Sequence, residues 1–422
     1  MRLVIALLTI ICIMLAIFVF VNFEQDQQSK IEKFVDIGGW CWFNHPNVLY
    51  TEGYVFLGYV ANTGEKHFTA RVARIDPSLG SVLYKDLLDR VDDDHAAPAM
   101  DVLPDGRIIV TVSKHAGKVI RIAIFDPNNF NSNWSITDLN LSNTLLKGML
   151  TYPSPAVLGD RIFIFFRDGN PSNSLWRFIY SDDMGQTWSK PQILLDPQGK
   201  APGVYVIFTR VGNTVYFTAS LAYGPVDKPK KNVYFFYLDN DGFYRADGTK
   251  IADMETPLNI DMIEKVFDSD REGLYGAWIY DVYPDDDGRP IIAFTAFEKV
   301  ENRTYKHYYY TARWEGDTWI VRRIADGGEL HPMIINEYLY SGGIWIMRSD
   351  PNKVILSRKC DNGWQIEIRD LTGNLQGLIR EPKAPNEMNI HPLEVNGVII
   401  WQSGYYREKN ILVTPIFYTT HK

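Results

Sequence analysis

Residues 180–191 read YSDDMGQTWSKP and contain the pattern Ser-x-Asp-x-Gly-x-Thr-Trp, which begins at Ser181 and ends at Trp188. In such a segment the aspartate side chain and the glycine turn cap a β-hairpin, because a short carboxylate accepts hydrogen bonds from the backbone of its own turn. The tryptophan is expected to pack between sheets. We therefore assign Asp183 a structural role and no chemistry.

Short runs rich in Val, Ile, Tyr, Phe and Trp surround this segment, and almost no stretch has sustained helical periodicity. Such runs are RIIVTVS, RIFIFFRD, NTVYFTAS, NVYFFYLD, PIIAFTAF, KHYYYTARW and KVILSRK. Turn dipeptides such as Asp105-Gly106 and Asp287-Gly288 separate them, so hairpins follow one another along the chain. The sequence therefore predicts an all-β fold.

The spacing of these hairpins favours one all-β architecture over another. With four strands and roughly 40–55 residues per blade, residues 31–422 would form about seven blades of a β-propeller. A pair of β-sandwiches is the competing architecture. The pattern at residues 181–188 and its degenerate echoes, RWEGDTW and KCDNGWQIE, favour the seven-bladed β-propeller, because each places a turn before a tryptophan.

Residues 3–23 are apolar apart from Thr9 and Asn22, and this length matches the roughly 20 residues of a transmembrane helix. The run is longer than the core of a signal peptide and lacks a small-x-small cleavage site, which favours an uncleaved signal anchor over a removed signal peptide. Arg2 before the run keeps the N-terminus cytoplasmic. We expect residues 1–30 to be an inner-membrane anchor with a short linker, and the propeller of residues 31–422 to lie on the periplasmic or extracellular side.

Composition and charge exclude several classes of protein. The 422 residues are 46% hydrophobic, which is enough for a large core and excludes a disordered chain. The formal net charge of -8 argues against a nucleic-acid partner, although it leaves room for a local cationic pocket that binds an acidic substrate. Beyond the anchor, Cys41 and Cys360 either bridge or stay unpaired, and no Cys-x-x-Cys or His-x-x-x-His spacing indicates a zinc site.

A series of landmarks across most of residues 90–405 resembles the bacterial-neuraminidase-repeat propellers, the family that includes the ulvan lyases and related polysaccharide lyases. The landmarks are DDDHAAPAMDVLPDGRI, TYPSPAVLGDRIFIFFRDG, YSDDMGQTWS, NVYFFYLDNDGFYRADGTKI, AWIYDVYPDDDGRPIIAF, YYYTARWEGDTWIVRRIADGG, YSGGIWIMRSDPNKVILSRK and IIWQSGY. The resemblance implies a propeller that acts on an acidic polysaccharide. Function nevertheless resides in a site and not in a fold, so the site residues need their own argument.

His95 and His115 bracket a predicted hairpin whose turn is Pro104-Asp105-Gly106, so both rings could return to one end of the sheet. Imidazole accepts and imidazolium donates a proton near neutral pH, so such a pair can serve as base and acid or bind an acidic sugar. Both histidines match active-site histidines of the ulvan lyases. A structural role in strand-end loops is the alternative for each.

Tyr152 and Arg167 flank another predicted hairpin and match further positions that the lyases use. By this resemblance, Arg167 would neutralise a uronate carboxylate through its planar guanidinium, and Tyr152 would protonate the leaving O4 or relay a proton to it. Which of His95, His115 and Tyr152 takes the C5 proton is left open. Alternatively, Arg167 caps a turn beside Asp168 and Tyr152 belongs to the core.

Three further residues are predicted to contact the substrate. Asp94 is expected to orient a histidine, within an Asp92-Asp93-Asp94 triplet that is otherwise predicted to be a solvated turn. Tyr205 and Trp278 are predicted sugar-stacking surfaces, with a place in the core as the alternative.

The chain also departs from the lyase pattern. Residues 220–229, SLAYGPVDKP, stand where several lyases carry a histidine-containing segment, and no residues match the His and Cys ligands of the structural zinc in some members. Substrate and metal therefore do not carry over; we expect no cofactor and leave a structural metal open. His331 and His391, each followed by proline, are placed at strand ends of later blades without a function.

Three functions follow from these observations. The first is a membrane-anchored polysaccharide lyase acting on a uronate glycan, which needs a cation for the carboxylate, a base for C5-H and an acid for O4. The second is a non-catalytic glycan-binding or surface-polysaccharide assembly propeller. The third, a sialidase-type hydrolase, lacks an Arg-Ile-Pro segment and a readable arginine triad. If the two histidines, Tyr152 and Arg167 share one pocket, the lyase and the glycan-binding propeller are favoured over the hydrolase. Measured cleavage of a glycan would then distinguish the lyase from the glycan-binding propeller.

Overall fold

Seven β-sheets make up the computed structural model, which describes residues 31–35, 37–64, 67–224, 228–301, 304–327, 339–361, 363–379, 388–407 and 411–420. Within those ranges there is no α-helix, and the two helical turns are short 3-10 turns at Asp94–Ala96 and Pro127–Asn129. The predicted all-β, seven-bladed β-propeller is confirmed. None of the described residues forms a helix that is long and apolar enough to cross a membrane, and the predicted anchor at residues 3–23 lies outside them.

The strands are numbered in chain order, and the first strand is β1 (Glu32–Val35). Blade 1 contains β2 (Gly38–Gly39), β3 (Val48–Thr51), β4 (Tyr54–Gly64), β5 (His67–Asp76) and β6 (Ser81–Val91). Blade 2 contains β7 (Ala99–Val102), β8 (Ile108–Val112), β9 (Val119–Phe125) and β10 (Ser135–Asn140). Blade 3 contains β11 (Leu150–Leu158), β12 (Arg161–Asn170), β13 (Asn173–Ser181) and β14 (Gln192–Asp196).

Blade 4 has additional short strands: β15 (Gly203–Val211), β16 (Thr214–Ala222), β17 (Lys230–Asp239), β18 (Gly242–Tyr244), β19 (Lys250–Asp253) and β21 (Glu264–Phe267). Between them, β20 (Leu258–Asn259) pairs with blade 3. Blade 5 contains β22 (Gly276–Pro284), β23 (Pro290–Glu301), β24 (Thr304–Trp314) and β25 (Trp319–Asp326). Blade 6 contains β26 (Ile344–Ile346), β27 (Lys353–Cys360), β28 (Gly363–Asp370) and β29 (Leu375–Ile379). Blade 7 contains β30 (Met388–Val395), β31 (Val398–Arg407), β32 (Ile411–Val413) and β33 (Ile416–Thr420).

The two ends of the described chain meet in blade 7. There β1 pairs antiparallel with β33, with Glu32 opposite Tyr418. Closing the ring in this way satisfies strand edges that would otherwise be exposed. Middle strands such as β12, whose sequence is RIFIFFRDGN, are buried along almost their whole length because each blade packs against two neighbours.

The turn after β13 has the structure that its sequence predicts. Asp183 accepts hydrogen bonds from the Thr187 backbone N–H at 2.8 Å and from the Thr187 hydroxyl at 2.6 Å. The backbone N–H of Gly185 donates to the Ser181 hydroxyl at 2.8 Å, and Trp188 packs against a core cluster formed by blades 2 and 3. Asp183 is thus fully engaged in capping its turn.

Residues 40–47, WCWFNHPN, interrupt the innermost strand of blade 1. The flanking strands β2 and β3 both pair with β4, and the whole segment lies opposite only Gly58 and Tyr59 of that strand. All of these residues except Pro46 are buried. We call this segment the plug, because its rings contact side chains of blades 3 to 7 across the middle of the ring. The ring pairs are Phe43–Tyr152 (6.4 Å), Phe43–Tyr205 (4.7 Å), Phe43–Trp278 (4.8 Å), Trp42–Tyr340 (4.5 Å) and Trp42–His391 (5.0 Å).

Candidate functional site

The hairpin formed by β7 and β8 brings His95 and His115 together. His95 lies in the 3-10 turn before β7, His115 follows β8, and the Gly106 N–H closes the intervening turn by donating to Leu103 O at 2.9 Å. The two imidazole rings stack with their centroids 4.2 Å apart and their planes within 3°. The predicted meeting of these two histidines at one end of the sheet is therefore what the structure has.

Asp93 holds both rings in place. One carboxylate oxygen lies 2.7 Å from His115 Nδ1, and the other lies 3.1 Å from His95 Nδ1 while accepting the His95 backbone N–H at 3.0 Å. Asp94 Oδ1 also lies 3.1 Å from His95 Nδ1, as its predicted orienting role requires. The prediction of a solvated turn holds for the exposed Asp92 but is wrong for Asp93 and Asp94, because the histidines cover them.

The surroundings push the two histidines towards opposite protonation states. Burial works against charge on His95, but the neighbouring Cys41 and Tyr152 and two aspartate carboxylates outweigh it and hold the pKa of His95 well above its ordinary value. Burial lowers the pKa of His115. The bond to Asp93 raises it again, but by less, so the pKa stays below its ordinary value. The interactions with both histidines outweigh burial and hold the pKa of Asp93 well below its usual range. The pair is therefore arranged to carry one positive charge beside one carboxylate that stays ionised.

Tyr152 and Arg167 lie next to His95. Tyr152 occupies a bulge in β11 with φ of 58°, a conformation that costs a non-glycine residue about 1–3 kcal/mol and is often retained at functional sites. Its ring centroid lies 5.4 Å from that of His95, and the Arg167 guanidinium lies 4.9 Å from the same ring. Burial raises the pKa of Tyr152 well above its ordinary value. Both Tyr152 and Arg167 are only 1% exposed.

Arg167 has an incomplete set of partners. Its Nε donates to Gly169 O at 3.1 Å, whereas its Nη1 has no hydrogen-bond partner among the described residues. Asp168 itself pairs with Arg177 at 3.3 Å and accepts two backbone N–H groups. The bond from Arg167 to Gly169 O is a contact of the kind that the turn-capping alternative describes, so that alternative stays open beside the predicted catalytic role. A buried guanidinium with a free N–H group is suited to receive an anion.

Backbone and hydroxyl contacts fix blade 2 against blade 3 at this point. The Ala116 N–H donates to the Thr151 hydroxyl at 3.2 Å, and the Thr111 hydroxyl donates to Pro153 O at 2.7 Å. These bonds connect the loop that carries His115 to the bulge that carries Tyr152. The four predicted catalytic residues therefore form one cluster in the described structure, and their roles stay predictions.

Tyr205 and Trp278 extend the cluster into blades 4 and 5, but both rings are buried. The Arg167 guanidinium lies 5.4 Å from the Tyr205 ring, and Phe43 of the plug packs on both aromatic residues. Lys230, a buried cation that sequence reasoning missed, lies 4.9 Å from the Trp278 ring. Both rings belong to the core cluster, as the alternative to sugar stacking predicts, and stacking by Tyr205 and Trp278 stays an untested prediction.

His391 lies within β30, in the core beside the plug, and not at the end of a strand as predicted. His331 is outside the described residues. The His391 ring stacks on Trp42 with planes within 9°, and its Nδ1 lies 3.3 Å from Gln402 Nε2. Burial holds the pKa of His391 well below its ordinary value, so this histidine is a neutral packing residue. Nothing in the described contacts connects it to the His95–His115 pair.

Two groups of side chains could hold a metal ion, and both include His95. One group consists of Cys41, Asp94 and His95, and the other of Asp93, His95 and His115. Within each group the candidate ligand atoms lie within 4.8 Å of one another.

Cys41 and Cys360 are both free thiols, so the predicted alternative of unpaired cysteines is confirmed over the disulfide. No motif or ligand spacing around Cys41 indicated this place in the site, because its neighbours Asp94 and His95 lie more than fifty residues away in sequence.

Comparison with known proteins identifies the family and the fold of the chain. A family model described as a BNR repeat-containing family member matches residues 54–327. The chain belongs to this family. Among solved structures, the BNR repeat-containing chain is similar to a PL25 ulvan lyase, with a TM-score of 0.66, 15% identity, and coverage of 93% of this chain and 96% of the lyase. It is also similar to the polysaccharide lyase Uly1, with a TM-score of 0.55, 12% identity, and coverage of 94% and 100%. At these identities the similarity shows the fold alone, and no curated protein matches the chain.

Proposed function

We propose that this protein is a polysaccharide lyase that cleaves a uronate-containing glycan by β-elimination. One observation carries the proposal. The stacked rings of His95 and His115, one favoured as charged and the other as neutral, lie next to the buried Arg167, which has an unpartnered N–H group. Membership of the BNR repeat-containing family and the fold shared with two polysaccharide lyases support it.

The reaction requires a base and an acid at neighbouring positions. A base takes the proton from C5, the electron pair of that bond forms the C4=C5 double bond, and the C4–O4 bond breaks while O4 receives a proton from an acid. The C5 proton becomes acidic enough only when the negative charge that develops on the adjacent carboxylate is stabilised. The stacked pair supplies the first two requirements and Arg167 supplies the third.

His115 is the base in this proposal. Its Nδ1 lies 2.7 Å from Asp93 Oδ2, so the Nδ1–H donates to that carboxylate and the lone pair stays on Nε2. Its lowered pKa keeps the ring neutral at neutral pH. The side chain is 32% exposed, more than any other member of the cluster, and a polysaccharide can therefore reach it.

His95 is the acid, and Tyr152 supports it. The raised pKa keeps a proton on His95, whose side chain is 21% exposed and lies against the base. Tyr152 is buried and its hydroxyl lies 3.5 Å from Cys41 Sγ, so its place is behind His95 rather than at the substrate. Proton transfer from His95 to O4 leaves a neutral ring, which takes a new proton from solvent, and His115 gives the C5 proton up to solvent.

Arg167 provides the positive potential for the substrate carboxylate. Its charge is buried, and no carboxylate of the described residues bonds to it. A charge in a low-dielectric environment acts more strongly than one in water. Because Arg167 is only 1% exposed, direct contact with a substrate carboxylate requires the side chains packed around it to move.

A second candidate function is a non-catalytic glycan-binding or surface-polysaccharide assembly propeller. The observation that favours it is the 1% exposure of both Arg167 and Tyr152, since recognition of an acidic sugar at the rim needs only the histidines. The two candidates differ in turnover and not in binding.

We also propose that residues 1–30 anchor the propeller domain of residues 31–422 at the inner membrane, with the propeller on the periplasmic or extracellular side. The apolar run at residues 3–23 and the preceding Arg2 support this arrangement. Cell fractionation of the full chain and of a chain lacking residues 3–23 tests it. The full chain is expected with the membranes and the shortened chain in the soluble fraction.

The proposed activity is tested on the full chain, purified in mild detergent, with a panel of uronate-containing polysaccharides. Elimination creates a conjugated double bond, so ultraviolet absorbance is expected to rise with at least one glycan and to stay flat for His115→Ala. Measurable binding of a glycan without any rise in absorbance, for every member of the panel, would replace the lyase by the recognition propeller.

A further inference from the structure

Cys41 lies at the centre of the cluster without a part in the proposed elimination. We propose that Cys41, Asp94 and His95 form a binding site for a thiophilic divalent cation such as Zn²⁺. The sulfur of Cys41, a carboxylate oxygen of Asp94 and a ring nitrogen of His95 lie within 4.8 Å of one another. Zn²⁺ bonds of about 2.0–2.3 Å place tetrahedral ligand atoms roughly 3.3–3.8 Å apart, so small side-chain rotations close these three around an ion.

The backbone already holds the ligands in position. The Cys41 N–H lies 3.3 Å from Asp94 O, and the Asn44 side chain donates to His95 O at 3.0 Å and to Ala97 O at 3.1 Å. These bonds fasten the plug to the 3-10 turn, although the two segments are far apart in sequence. A site whose backbone is fixed in advance loses less conformational entropy when it binds an ion.

Neighbouring groups can orient the ligands in the way that bound metals require. Asp93 contacts the His95 ring nitrogen at 3.1 Å and the His95 backbone N–H at 3.0 Å, which fixes the ring orientation. The Tyr152 hydroxyl lies 3.5 Å from Cys41 Sγ and can donate to a thiolate. Contacts of this kind around first ligands typically raise metal affinity.

The chemistry of the donors selects the class of ion. Thiolate and imidazole favour Zn²⁺ and related borderline ions over Mg²⁺ or Ca²⁺, which prefer oxygen ligands. When an ion displaces the proton of Cys41, the resulting thiolate and the carboxylates of Asp93 and Asp94 carry three negative charges. A divalent cation together with the Arg167 guanidinium balances them. Three protein ligands also leave a fourth tetrahedral position open.

An ion can reach this site from the solvent side of the histidines. The side chains of His95 and His115 are 21% and 32% exposed, and that of Asp93 is 19% exposed, whereas Cys41 is buried behind them. An ion bound to His95 takes the place of one of its two ring protons, so the ring is no longer an imidazolium acid. Zn²⁺ is therefore expected to inhibit the elimination, a consequence that rests on the proposed function, although the binding site itself does not.

Co²⁺ titration tests the site directly, because a bound thiolate gives a charge-transfer band in the near ultraviolet. The full chain contains three cysteines, so a Cys12→Ser Cys360→Ser background leaves Cys41 as its one thiol. This background is expected to bind one Co²⁺ with a charge-transfer band that Zn²⁺ displaces. Adding Cys41→Ser is expected to abolish the band and to weaken Zn²⁺ binding, measured against a chromophoric chelator, by about 10–100-fold. Absence of the band in the background protein, or equal Zn²⁺ affinity with and without Cys41, overturns the site.

A second variant keeps the test decisive if Cys41→Ser does not fold. Asp94→Asn retains the thiol and is expected to keep the band while weakening Zn²⁺ binding; unchanged affinity counts against the site. In the activity arm, Zn²⁺ is expected to inhibit the background protein and to spare Cys41→Ser. If the band forms but no glycan is cleaved, the metal site stands and the lyase proposal fails. If a glycan is cleaved but the band is absent, the lyase proposal stands and the metal site fails.

Discussion

The imidazole rings of His95 and His115 lie parallel, with centroids 4.2 Å apart and with Asp93 bonded to both Nδ1 atoms. Two imidazolium rings at this separation repel one another, so the second proton is harder to add than the first. Asp93 stabilises one added proton in the pair, and the further groups around His95, Asp94 among them, favour that ring as the acid and leave His115 as the base.

Replacing His115 with alanine is expected to abolish elimination without unfolding the protein. Removing a general base typically lowers the rate by about 10²–10⁴-fold, whereas the loss of a partly exposed ring costs about 1 kcal/mol of stability or less. Initial rates and thermal unfolding of His115→Ala measure both effects. His67→Ala, at an exposed position on β5, is the matched control and should retain full activity. Equal activity in His115→Ala and His67→Ala would remove His115 from the mechanism.

Asp93→Asn tests the positioning carboxylate. Asparagine is also a good N-cap, so the 3-10 turn at Asp94–Ala96 should persist while the charge between the rings is lost. We expect kcat to fall by about 10–100-fold. Because Asp93 raises the pKa of His95, the alkaline limb of the pH–rate profile should also move to lower pH. The exposed Asp92→Asn is the control; a profile of Asp93→Asn that coincides with it would contradict the positioning role.

The pH dependence of kcat/KM follows from the two histidines, measured with a chelator present to keep metal ions away. His115 must be neutral and its pKa is lowered from 6.5, so activity should rise as the pH rises through a value below 6.5. His95 must be protonated and its pKa is well above 6.5, so activity should fall only as the pH rises through that higher value. A broad plateau across neutral pH is expected. A narrow maximum, or activity that increases steadily into alkaline solution, would contradict this assignment of acid and base.

The sequence predicted the local features of the fold and of the site better than the features that depend on long-range contacts. The turn at residues 180–191 and the hairpin between His95 and His115 follow from short-range rules, because the turn residues and the alternating strands are contiguous in sequence. The plug could not be predicted in this way, since Phe43 and Trp42 find their partners only when the ring closes. Asp93 was misassigned because a run of three aspartates resembles a solvated turn.

His45, within the plug, is expected to make stability depend on pH. Burial lowers its pKa from 6.5 to about 4, and its ring stacks on Trp345 at 5.0 Å. Between pH 6.5 and pH 4, His45 therefore binds a proton in the unfolded chain but not in the folded chain. The free energy of unfolding should for this reason fall by about 3 kcal/mol as the pH is lowered from 6.5 to 4. Thermal unfolding across this range measures the loss, which should be smaller in His45→Asn and unchanged in the exposed His67→Asn. An equally steep loss in all three proteins would show that His45 is not its source.

Product analysis by mass spectrometry in water labelled with heavy oxygen tests the proposed elimination most directly. Elimination adds no water across the cleaved bond, whereas hydrolysis does. The products of the full chain acting on a uronate glycan are reduced with borohydride at once, because a free reducing end slowly exchanges its oxygen with water. They should then carry an unsaturated uronate at the new non-reducing end and no heavy oxygen. The same reaction with His115→Ala should leave the polymer intact. Heavy oxygen in the cleaved ends would identify a hydrolase instead, and an intact polymer with the unaltered chain, despite measurable binding, would identify a recognition propeller.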